Sequence, residues 1–64
     1  MRLIPGDVVA LPSPGSPLFV VVTAMSDPDG VTQSVFIVDP LSSRREVWTM
    51  PDINRLTLLD AYAP

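Results

Sequence analysis

With 64 residues the chain has room for one domain, and a domain this short buries only about 60% of its unfolded surface. It contains no cysteine and no histidine, so a disulfide framework and the usual zinc-ligand sets are both excluded. At 47% hydrophobic and 17% charged it is too apolar for a disordered chain, and its net charge of −3 argues against a phosphate-binding surface.

Small scaffolds without staples need an efficient core or a partner, so composition already favours association. Residues 1–5 read as a short lead-in strand with Leu3 or Ile4 reaching inward, and Pro5-Gly6 is a turn signal. Residues 7–11 form the first clear strand, because Val8 and Val9 are β-branched and stiff. Residues 12–17 hold three prolines, which forbid helix and donate nothing to a ladder. This stretch is a rigid hairpin connector or, if used for recognition, a loop that is cheap to order on binding.

Residues 18–25 are the strongest strand. The run Leu18-Phe19-Val20-Val21-Val22 is apolar on both alternating faces, so one face enters the core and the other needs a loop, a terminal segment or another subunit to cover it. Ser26-Asp27-Pro28-Asp29-Gly30 carries the strongest hairpin signal in the chain. Asp27 and Asp29 have the spacing of a calcium loop, but no glutamate follows at the required offset, so neither a metal nor a cofactor is expected.

Residues 31–38 give a third strand, 39–43 a turn and 44–50 a fourth strand. That strand puts Arg44, Glu46 and Trp48 on one face and Arg45, Val47 and Thr49 on the other. Residues 51–55 look like a single helical turn, with Asp52 placed to cap it, followed by a short strand over 56–59 and a tail over 60–64. Short strands with turns at this spacing predict an all-β fold, a small SH3-like barrel of five to six strands with one helical turn before the last.

The opening, carried by Gly6, Asp7, Val8, Val9, Leu11, Ser13, Gly15, Pro17 and Val20 or Val21, resembles small uncharacterised bacterial and phage proteins that begin Gly-Asp-Val-Val-x-Leu-x-Ser-Gly-Gly-Pro-x-Met-Thr-Val. Residues 35–39 resemble that family's central aromatic strand, and Met50-Pro51 before Leu56 and Leu58 resembles its closing proline and final strand. Here Pro14 and Ser16 interrupt the Gly-Gly-Pro loop, and Leu18-Phe19 replaces the Met-Thr step. The resemblance implies an SH3-like barrel and brings no activity or functional residues with it.

Catalysis needs an activated nucleophile or a tuned acid and base. Without His, Cys or Lys only carboxylates and hydroxyls are left, and Asp7, Asp39, Asp52 and Asp60 all sit where a turn or a cap has use for them. No enzyme is expected. Arg44 beside Trp48 has the pairing that stacks on a nucleic-acid base, but two adjacent arginines on an acidic chain argue against nucleic acid as a partner and for a solvated hairpin start with Trp48 near the core. Surplus apolar side chains are the better lead, since Phe19, Trp48, Met50, Leu59 and Tyr62 exceed what a barrel this small can hold.

The expected function is a non-enzymatic protein-binding or assembly module, concretely a small accessory component of a phage particle or phage-encoded complex. Its surface would be built on Trp48, Arg44, Phe19 and Tyr62, and its partner would be another protein or a second copy. The alternatives are a regulator that inhibits a host protein and, third, a nucleic-acid-binding barrel. No apolar run approaches the roughly 20 residues needed to cross a bilayer, so no membrane is expected. The expected location is the cytoplasm of a bacterial host, or a virion carrying the protein.

Overall fold

Three hairpin connections and a returning strand organise the chain in a computed structural model that describes residues 1–63. Pro64, the end of the expected tail, lies outside the described residues. Strands β1 (Val8–Ala10), β2 (Leu18–Ser26), β3 (Thr32–Val38), β4 (Arg45–Thr49) and β5 (Thr57–Asp60) make one antiparallel sheet in the order β4-β3-β2-β1-β5. A 3-10 turn, Asp52–Arg55, lies between β4 and β5, and the fold is all-β as expected.

Each connection follows from local chemistry. Between β2 and β3 the loop runs over residues 27–31, with Pro28-Asp29-Gly30 at its tip. Gly30 donates to the Asp27 carbonyl at 2.9 Å with φ +83°, a left-handed position glycine occupies without strain. The Asp27 carboxylate accepts from the Asp29 and Val31 amides at 3.0 and 2.9 Å. The β3–β4 turn is built the same way on Asp39, whose carboxylate accepts from the Leu41 amide (2.9 Å) and the Ser42 hydroxyl (2.8 Å). In the proline-rich connector, the Leu11 amide donates to Ser16 Oγ at 3.2 Å.

The inner face of the sheet carries the core. Val9, Phe19, Val21, Val35 and Ile37 point inward, and Leu3, Ile53 and Leu56 close over them. The 3-10 turn packs on β3 and β4 and brings Ile53 into this cluster. Asp52 does not cap the turn; it is the first turn residue, Pro51 holds the cap position, and no side-chain cap bond forms. Residues 1–5 are not a ladder strand. They are tied down by Thr32, whose amide donates to the Met1 carbonyl at 3.1 Å and whose Oγ1 accepts from the Leu3 amide at 2.7 Å. Leu3, rather than Ile4, is the residue that enters the core.

The ladder does not close into the expected complete barrel. β1 and β3 both run opposite to β2, so β4 and β5 run in the same direction at opposite edges, and no ladder joins them. At β2 the register slips between Val21 and Thr23, so Val22 and Thr23 together oppose Phe36. The accessible surface is 4132 Å², against about 4,000 Å² for a folded monomer of this mass. The radius of gyration is 10.9 Å, against about 10.7 Å for a compact chain of this length. By both measures one copy has the compactness of a folded monomer of its size.

Candidate interaction surface

β4 is an edge strand whose inner-facing residues extend the core into a polar-aromatic cluster. Pairing of Ile37 with Glu46 and of Val35 with Trp48 fixes which face they share. The Trp48 indole N–H donates to Glu46 Oε1 at 2.9 Å, and Glu46 Oε2 forms an ion pair with Arg44. The Arg44 guanidinium carbon lies 5.7 Å from the centroid of the Phe19 ring, within cation–π range. Three of the four residues picked from the sequence thus converge on one edge. Glu46 joins the polar ends of Trp48 and Arg44. Trp48 is half-buried against the core, and Phe19 is fully buried, so its ring offers nothing to a partner directly.

Tyr62 lies apart from that cluster. Its ring covers Gly6, where a Cβ would meet the ring carbons at 2.7 and 2.8 Å, and its amide donates to Asp7 Oδ1 at 2.7 Å. Asp7 Oδ2 accepts from the Ile4 amide at 2.9 Å. A carboxylate only 2% exposed therefore joins the lead-in segment to the C-terminal tail. This makes Tyr62 a latch for the fold, with about half of its surface still open.

Asp39 has a structural role at the β3–β4 turn. The Ser42 hydroxyl, then the Leu41 amide, hold Asp39 below the usual carboxylate range; desolvation opposes them and Arg44 adds to them weakly. Among the described residues no pocket indents the surface and no cluster of acids has metal-ligating geometry.

The outer face of the sheet is different in kind. Reading across β4, β3 and β2, Val47 pairs with Phe36, and Phe36 opposes the bulge of Val22 and Thr23. One row over, Val38, Val20 and Val8 are cross-strand partners, and Ala10 pairs with Leu18. Leu18 is 55% exposed, Val22 45%, Val47 67% and Met25 71%, and no other segment among the described residues covers them. The alternation of β2 had marked this face as needing cover. Val47, the outward neighbour of Trp48, was not singled out, although its position between two inward-pointing residues was the available signal. Comparison of the chain with protein-family models, with curated proteins and with solved structures finds no match.

Proposed function

We propose that this chain is a non-enzymatic protein-binding or assembly module on an SH3-like scaffold. The scaffold reading is supported by the strand order β4-β3-β2-β1-β5, with a single 3-10 turn before a last strand that returns to the first. One observation carries the functional reading: the outer sheet face presents Leu18, Val22 and Val47 to solvent, joined across three strands by Val20, Phe36 and Val38. A contiguous apolar face on a small chain marks an interaction site. With the sequence resemblance to small phage proteins, its concrete form is an accessory component packed against a larger protein surface in a phage particle or phage-encoded complex.

The test is to size the purified chain by light scattering, by itself and mixed with lysate of its source cells, beside Val47→Asp. That residue is 67% exposed and stands outside the buried core cluster, so the variant should keep its circular dichroism spectrum. Association by the parent and its loss in the variant are expected. A parent chain that stays single and partnerless at high concentration, or a variant that associates as well as the parent, refutes the reading.

A further inference from the structure

The outer face has a charge pattern that matches itself. Along one cross-strand row, in sheet order, stand Arg45 (β4), Val38 (β3), Val20 (β2), Val8 (β1) and Asp60 (β5). Arg45 lies between Arg44 and Glu46, which face inward, and Asp60 pairs with Val8, the outward neighbour of the buried Asp7 and Val9. Arg45 and Asp60 are the only charged residues that the ladder places on this face, and among the described residues neither has an ion-pair partner. The row is cationic at one end, anionic at the other and apolar between, with β2 at its centre.

Building on the assembly reading above, we propose that the occupant of this face is a second copy of the same chain, stacked sheet on sheet about a two-fold axis running along β2. That axis exchanges β4 with the partner's β5, and β3 with the partner's β1. Arg45 then opposes Asp60 of the partner subunit, Asp60 opposes the partner's Arg45, Val38 opposes the partner's Val8, and the two copies of Val20 meet at the axis. A two-fold axis running across the strands would set Arg45 against its own copy, so only the axis along β2 joins unlike charges. It also keeps the strands of the two sheets aligned, as in face-packed sheets. Packed sheets stand about 10 Å apart, a gap that an arginine and an aspartate side chain together bridge. A foreign partner of either sign gains little from a face bearing one charge of each kind.

Five strands about 4.8 Å apart, over roughly five residues of about 3.3 Å rise, give a footprint near 400 Å² per copy. Two copies then bury about 800 Å², below the roughly 1,000 Å² of a stable pair, so the dimer is weak and reversible, in the micromolar to millimolar range.

Sedimentation velocity over a concentration series from about 10 μM to about 1 mM tests this. The weight-average mass of the parent should rise from one chain toward two. Val20→Asp, with an unchanged circular dichroism spectrum, should remain a single chain throughout. Arg45→Asp and Asp60→Arg each turn both inter-copy pairs repulsive and should weaken the dimer about tenfold, while the double swap restores it. A parent that stays monomeric overturns the proposal, as does a dimer indifferent to Val20→Asp or one not rescued by the swap. A monomeric parent that still binds another protein through Val47 overturns the self-stacking alone and leaves the assembly reading standing; if that binding is missing too, both fall.

Discussion

Asp7→Ala removes a buried carboxylate that ties the two ends of the chain together. The carboxylate is 2% exposed and accepts two backbone amides, Ile4 at 2.9 Å and Tyr62 at 2.7 Å, the latter 55 residues away. Truncation to alanine leaves both donors without a partner, at about 1–3 kcal/mol each. Water reaching the vacated space reduces the sum, so we expect a loss of about 3 kcal/mol. At roughly 0.05–0.15 kcal/mol per residue a chain of this length has about 3–10 kcal/mol of stability in total, so this is a third of it or more. Asp7→Asn keeps one acceptor but turns an amide NH2 toward the other donor, and should fall between parent and alanine. Urea unfolding followed by Trp48 fluorescence measures this. With a slope near 1 kcal/mol per molar, the alanine variant should lose about 3 M in midpoint. In a chain truncated after Ala61 the same substitution should cost about 1 kcal/mol less, because one of the two donors is already gone. An alanine variant within 0.5 M of the parent, or a cost unchanged by truncation, refutes the latch.

Two further predictions concern the turns. Gly6→Ala and Gly15→Ala both place a side chain at positive φ (+96° and +74°), but only at Gly6 does the new Cβ run into another group, the Tyr62 ring. Gly15→Ala should therefore cost about 1 kcal/mol, and Gly6→Ala about 1–3 kcal/mol more, with Tyr62→Ala recovering most of the excess but not the backbone strain. Ser42→Ala removes the largest influence lowering the Asp39 pKa and should move it up toward the ordinary carboxylate value near 3.9, as read by NMR titration of the carboxyl carbon. Because the folded value is the lower one, Asp39 supports the fold fully above the unfolded value and loses that support as pH falls through the folded one. The Ser42→Ala variant should show less of this acid-side loss.

The strands were legible because their β-branched runs are broken by Pro, Gly and Asp at positions where turns need them. The edge cluster was legible too: period-two alternation put Arg44, Glu46 and Trp48 on one face, and the register agrees. Which face of Leu18-Phe19-Val20-Val21-Val22 turns inward could not be read, since both alternations are apolar. Pairing of Phe19 with Val9 decides it, and the slip at Val22 then leaves that valine in solvent. The Asp7 latch was hidden for another reason. A local signal showed only an aspartate beside a turn, whereas its second donor comes from the far end of the chain. Closure of the sheet was likewise out of reach, because it depends on the relative directions of β4 and β5, which follow from pairing order and not from composition.

The inner and outer faces of this sheet answer to different demands. Every fully buried apolar side chain is on the inner face or on the segments that close over it, and the chain reaches monomeric compactness with those alone. Nothing in the fold needs a methyl group in water at Val22 or Val47. Threonine has the same branching and a comparable strand preference, and exposed substitutions of this sort change stability by no more than about 0.5 kcal/mol. Leu18 and Met25 are larger still, and as exposed apolar groups on an open-edged sheet they invite aggregation. Folding therefore gives no account of the outer face, whereas the proposed contact with another protein surface would, and under that proposal Arg45 and Asp60 at its two ends favour a second copy as the surface.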